Sequence, residues 1–194
     1  MPPRARKRRI IGIDPGLAST GWGVIDYSGG RFRYIDHGCI ETRTVCPRAE
    51  RLFFIFQSIR SVLDSHKPAE SAVETLYFGK NVSSAIPVAE ARGVISAALA
   101  ERGLPVLELR PGEIKQGVTG IVQADKNQVQ EMVRLILGLE EIPKPDHAAD
   151  ALVAAICAAL GAVEIPAGTG KDPAEARRTA AAIGRAGKKG AGGL

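Results

Sequence analysis

Cysteine is scarce in this sequence, and long apolar runs are missing. Among 194 residues there are three cysteines, Cys39, Cys46 and Cys157, odd in number and far apart. They make no Cys-x-x-Cys pair, which excludes a disulfide framework and leaves buried or idle thiols. No stretch approaches the roughly 18–20 apolar residues that span a bilayer. Met1 to Arg9 is basic and runs straight into a strand-like segment, with no apolar signal-peptide core. These absences lead to the expectation of a cytoplasmic protein without a membrane contact. No internal repeat is present.

A uniformly basic body is missing too. The formal net charge is +5, yet Arg4, Arg6, Lys7, Arg8 and Arg9 all fall within the first nine residues. From Ile165 onward six basic residues face two acids. Between Ile10 and Glu164, 15 basic residues face 19 acidic ones. The body is therefore acidic, and the ends are basic. Such ends can hold phosphates without sequence preference, or be solvated tails with no partner.

What is present is an ordered series of periodic segments. Arg9–Asp14 is a short apolar run closed by Pro15-Gly16, which predicts a buried strand ending in a turn. Thr20–Tyr27 and Arg31–Thr42 predict two more strands around Ser28-Gly29-Gly30, an antiparallel meander. Apolar residues at Leu52, Ile55, Phe56, Ile59, Val62 and Leu63 predict a helix over Pro47–His66. A strand at Ser71–Thr75, an Ala-rich helix at Asn81–Arg102 and a strand at Pro105–Leu109 follow. Helices are expected at Pro111–Val118, Lys126–Leu139 and Asp146–Leu160. A meander followed by alternating strand and helix implies a mixed five-stranded α/β sheet flanked by helices. The expected organisation is a basic extension at 1–8, one domain at 9–163, and a basic tail at 164–194 too poor in large apolar residues to fold alone.

Four residues stand where chemistry is expected. Asp14 ends the first strand and Glu74 the fourth. His147 and Asp150 lie three apart in the first turn of the last helix and so share a face. If that helix crosses the carboxyl edge of the sheet, the four converge. Clustered carboxylates repel unless a cation neutralises them. Hard oxygen ligands select Mg²⁺ or Mn²⁺, and two such ions drive phosphodiester hydrolysis. The plain alternative is a set of solvated charges, with Asp150 favouring a helix start.

The same residues carry a resemblance. Ile-Gly-Ile-Asp14-Pro-Gly followed by Thr20-Gly-Trp-Gly-Val, and Val73-Glu74 with its aromatic pair and Lys80-Asn81, resemble the first motifs of the RuvC family of Holliday junction resolvases. Glu90-Ala-Arg92-Gly-Val, then Lys115-Gln116 with Gly120 and Lys126, and Pro145-Asp146-His147-Ala-Ala-Asp150 resemble the later ones, in order over about residues 9–160.

The resemblance implies a ribonuclease-H-like fold. It implies a homodimeric, Mg²⁺-dependent endonuclease (Mn²⁺ substituting, two ions per subunit) that cuts four-way DNA junctions by paired nicks. It also implies RuvA and RuvB as branch-migration partners. It makes Asp14, Glu74, His147 and Asp150 the metal ligands; the position of His147 is Asp in some members and His in others. Asp146 is displaced by one residue, about 100° around a helix, and is held in reserve. Lys115 and Lys126 match basic residues near the scissile phosphate, where positive charge steadies developing negative charge. On their own they read as exposed lysines. Tyr77 and Phe78 fall where the family places an aromatic at the crossover, and bases can stack there; core packing is the alternative, more so for Phe78. Lys80 and Arg92 complete the expected DNA contacts.

Three other classes share part of this pattern: a related nuclease acting on RNA, an actin-like ATPase, and a DNA-binding module without catalysis. The ATPase needs a second domain that 194 residues do not supply, and the intact acidic set argues against the inert module.

Overall fold

The computed structural model describes residues 6–75, 82–110, 113, 118, 120 and 124–161. The chain divides into Met1–Glu164 and Ile165–Leu194, and every described residue belongs to the first unit. The strands are β1 (Arg8–Asp14), β2 (Ser19–Ser28), β3 (Arg31–Glu41), β4 (Glu70–Glu74) and β5 (Val106–Leu109). The helices are α1 (Arg48–His66), α2 (Val82–Glu101), α3 (Lys126–Leu137) and α4 (Asp146–Leu160).

The strands form one sheet in the order β3-β2-β1-β4-β5. The β1–β2 and β2–β3 pairs are antiparallel, while β1–β4 and β4–β5 are parallel. This is the expected mixed five-stranded sheet. The β2–β3 turn holds Gly29 at φ 57° and Gly30 at φ 78°, the conformation that a tight hairpin demands and glycine meets without strain.

Alternation along β1 sorts its side chains. Ile11 and Ile13 join Val24, Val73, Ile55, Ile59, Ile95 and Leu99 in a core under α1 and α2. Ile10 joins Ile25, Ala72, Leu109, Val133, Leu152 and Ile156 in a core under α3 and α4. Successive strand residues face opposite ways, so Gly12 and Asp14 belong with Ile10, on the α4 face. By the same parity Glu74 follows Ala72 to that face.

Helix α4 is buried on nearly all sides, including Ala148, Ala149 and the run Ala151–Ala159. A helix apolar all round belongs inside. It lies directly on glycines. A Cβ at Gly12 would stand 2.0 Å from the carbonyl oxygen of Ala151, and one at Gly23 would stand 2.6 Å from Leu152 Cγ. The absence of a side chain at Gly12 and Gly23 lets the helix meet the sheet closely.

The element ends fall within two residues of expectation, and two of the shifts carry a consequence. Strand β1 begins at Arg8, inside the expected basic extension, and the residues around it are not free. Arg8 pairs with Glu70, and Arg9 and Lys7 both pair with Asp26. Ion pairs with residues distant in sequence make these charges part of the fold. Helix α3 stops at Leu137 because Gly138 turns into the left-handed region at φ 64°. The helix expected at Pro111–Val118 lies almost wholly outside the described residues.

Candidate active site

The site is assembled at the carboxyl ends of β1 and β4. Their parallel register pairs Ile13 with Val73, which sets Asp14 and Glu74 side by side. The turn after Asp14 is pinned by Thr20, whose buried hydroxyl donates to the Gly16 carbonyl at 2.6 Å. The N-terminal end of α4 is brought to the same place by Gly21, the β2 partner of Asp14. A Cβ on Gly21 would lie 1.9 Å from the His147 carbonyl oxygen, so that contact is possible only with glycine.

His147 Nδ1 lies 2.7 Å from Asp14 Oδ2, and the imidazole donates this hydrogen bond when that nitrogen carries the proton. One ligand atom from each of Asp14, His147 and Asp150 fits within 4.8 Å of the others. These three sequence-expected residues are therefore brought together. Glu74 adds a fourth group. Its carboxyl is pushed up to about 7, first by burial and then by repulsion from Asp14 and Asp150. Burial likewise raises Asp14, partly offset by the hydrogen bond from His147. Buried like charges favour the protonated form until a cation arrives. The positive end of the α4 dipole also faces this group.

Lys126 stands at the first position of α3. Asp125 and Gln128 form a capping box there, each side chain bonded to the other's backbone N–H at 2.9 Å, which fixes where the helix starts. From that position Lys126 Nζ reaches Asp146 Oδ2 at 2.9 Å and Asp150 Oδ2 at 3.4 Å. Its hydrogen bond to Asp146 is the main cause holding the ammonium above its ordinary range. Asp146 in turn is held below the usual carboxylate range, chiefly by Lys126. Asp146 is thus turned to α3 and is not part of the Asp14–His147–Asp150 group.

Arg92 is on α2 and forms an ion pair with Glu108 of β5; it is not brought to the acidic group. Lys115, Tyr77, Phe78 and Lys80 lie outside the described residues. Sequence reasoning missed the seat that Gly12, Gly21 and Gly23 make for α4. The only signal was the alternating glycines of Thr20-Gly-Trp-Gly, read there as a motif rather than as a contact surface.

A mixed sheet with carboxylates at adjoining strand ends, completed by an acidic, histidine-bearing helix, describes a class of nucleases, and comparison with known proteins agrees. The RuvC family model, crossover junction endodeoxyribonuclease RuvC, matches residues 10–158. The chain belongs to the RuvC family. It is 55% identical over 147 residues to the crossover junction endodeoxyribonuclease RuvC of Treponema denticola, covering 76% of this chain and 83% of that protein. It is 49% identical over 154 residues to that of Chloroflexus aurantiacus, covering 79% and 94%. The structure of Thermus thermophilus RuvC in complex with a Holliday junction substrate superposes with a TM-score of 0.77 at 36% identity, covering 80% of this chain and 94% of that one.

Proposed function

We propose that this protein is a structure-selective DNA endonuclease that resolves four-way junctions by paired symmetric nicks, in recombination and repair. The observation that carries the reading is the convergence of Asp14, His147 and Asp150, with Glu74 electrostatically coupled to them. The substrate follows from family membership and from the junction complex of the Thermus relative.

The donor set fits a hard divalent cation. Two carboxylates and one imidazole converge, Glu74 lies close enough to feel Asp14 and Asp150, and burial with mutual repulsion leaves the acids in need of positive charge. Asp14, Glu74, His147 and Asp150 would hold Mg²⁺, or Mn²⁺ in its place, with two ions per subunit. Such ions, when bound, activate water and stabilise the leaving oxygen. The chain's own residues do the rest. Asp14 orients the His147 ring through their hydrogen bond. Gly21 seats the helix end that carries His147 and Asp150. Lys126 supplies a cation beside Asp150, and Lys115 is proposed as a second positive group near the phosphate. Tyr77 and Phe78 are proposed to stack on unpaired bases at the crossover, with Lys80 and Arg92 contacting the backbone.

Paired nicks require two sites at fixed separation, which a two-fold homodimer supplies most simply. Support comes from α1 and α2, which pack together and leave Phe53, Phe54 and Ile86 about half exposed or more. Unburied aromatic surface of this kind marks interaction faces. RuvA and RuvB remain the partners that family membership suggests. Among the described residues no helix is long and apolar enough to cross a membrane, and a cytoplasmic site of action is part of the proposal.

The test is cleavage of synthetic four-way junctions with Mg²⁺, mapping cuts on every strand, beside duplex DNA and RNA. Symmetric nicks confined to the junction are expected, absent in Asp14→Asn while junction binding persists. Turnover of RNA with inert junctions would favour the ribonuclease reading instead.

A further inference from the structure

Two helix faces meet beside the site, each through residues four apart. Lys126 and Gln130 project from α3, and Asp146 and Asp150 from α4. They connect as a chain. Gln130, 7% exposed, donates from Nε2 to Asp146 Oδ1 at 3.2 Å. The other oxygen of Asp146 takes Lys126 at 2.9 Å, and Lys126 makes its longer contact, 3.4 Å, with Asp150. Both oxygens of Asp146 are thus committed to α3. Lys126, by contrast, is shared between an acid outside the acidic group and an acid inside it.

We propose that Asp146 is a positioning residue for Lys126. Anchored by Gln130, it holds the ammonium at the rim of the site and keeps it from closing onto the Asp150 carboxylate. This rests on the reading of Lys126 as a group that meets the scissile phosphate, and deepens it. Without Asp146, the nearest anion left to Lys126 is Asp150. An ammonium settled there would both withdraw from the phosphate and compete with a cation for that ligand. A merely structural pair would do neither, because an exposed ion pair contributes little to stability.

The experiment combines Asp146→Ala and Lys126→Ala, singly and together, in the full chain. It measures single-turnover junction cleavage, junction affinity and Mn²⁺ binding by calorimetry, with thermal melting to confirm folding. Lys126→Ala is expected to slow cleavage by about 100-fold. Asp146→Ala is expected to slow it by about tenfold and to weaken Mn²⁺ binding about threefold, with junction affinity unchanged. On the Lys126→Ala background, Asp146→Ala should change neither quantity. An Asp146→Ala protein that cleaves normally, while Lys126→Ala is impaired, overturns the positioning role alone. Equal loss of Mn²⁺ affinity in both backgrounds would make Asp146 a ligand and also overturns it. Normal cleavage by Lys126→Ala overturns both this inference and the reading beneath it.

Discussion

The carbonyl oxygen of His147 stands where a side chain on Gly21 would begin, 1.9 Å from the position of its Cβ. The obstacle is backbone in a helix buried on nearly every side, so it cannot swing away. Gly21→Ala must therefore lift the end of α4 or bend β2. Overpacking of this kind costs about 1–3 kcal/mol, or roughly 3–10 °C in melting temperature for a chain of this size. Cleavage should fall far more than stability, because His147 and Asp150 move with the helix end. A Gly21→Ala protein that melts and cuts like the parent would show that this contact does not set the site.

Glu74 makes metal-free stability depend on pH. Its folded carboxyl titrates at about 7 against an ordinary 4.5, raised first by burial. A raised pKa means the folded state binds the proton more tightly than the unfolded state. The contribution is fully present below about pH 4.5 and is lost as pH rises through 7. In chelator, the protein should thus lose roughly 1–2 kcal/mol from this group between pH 5 and 8, after discounting for partial exposure. Glu74→Gln should flatten that slope and be the more stable form at pH 8. Denaturant titrations at both pH values check this, and a Gln variant with an unchanged slope would refute it.

The imidazole at position 147 sets ligand chemistry as well as geometry. His147→Ala should lose cleavage by a factor of about 1,000 and weaken metal binding, since the first turn of α4 then offers Asp150 alone to the group. His147→Asp restores an oxygen donor, the kind that suits Mg²⁺. Cleavage with Mg²⁺ should remain within about tenfold of the parent. Mg²⁺ and Mn²⁺ titrations of cleavage rate for both variants decide the matter, and an inactive Asp variant would count against interchangeable ligands.

The basic residues at the start of the chain divide into structural and available charges. Asp26 is 3% exposed and sits against Arg9 and Lys7. Burial works to raise its carboxyl, but the hydrogen bonds from Arg9 and Lys7 prevail and hold it below the ordinary range. Removing one partner of a buried ion pair costs about 3–5 kcal/mol at full burial. With Arg9 and Lys7 partly exposed, about 2–3 kcal/mol is expected for Asp26→Ala. Deleting the residues after Ile165 should instead leave melting unchanged, lower duplex and junction affinity together, and flatten their salt dependence. The cut position should not move. A truncation that relocates the nicks would end this division between affinity and selectivity.

The sheet was legible in the sequence because each strand announces itself locally, by alternation in RIIGID and TGWGVIDY and by the Gly29-Gly30 turn. The acidic group was legible for the same reason: a carboxylate closing an apolar strand is conspicuous, and Asp14 and Glu74 both do so. Partners distant along the chain were not legible. Lys7 and Arg8 looked like an extension because nothing nearby reveals Asp26 or Glu70. The glycines of β2 looked like a motif because their meaning lies in Leu152 and the His147 carbonyl, well over a hundred residues away. Asp146 and His147 were told apart by the resemblance together with a helix rotation, and only the position of α3 shows what Asp146 meets.

The burial of α4 also gives the enzyme a chemical gauge of its own integrity. Cys157 lies three turns below the site on the same helix, fully covered, and burial pushes its thiol up to about 12. Such a sulfur is almost never a thiolate near neutral pH, and no alkylating reagent can approach it in the folded state. Cys39 and Cys46 are only partly covered and should react first. The slow modification of Cys157 should then run at the rate of global opening. A substitution near the site that speeds it has loosened the helix, whereas one that abolishes cutting without speeding it has altered chemistry alone.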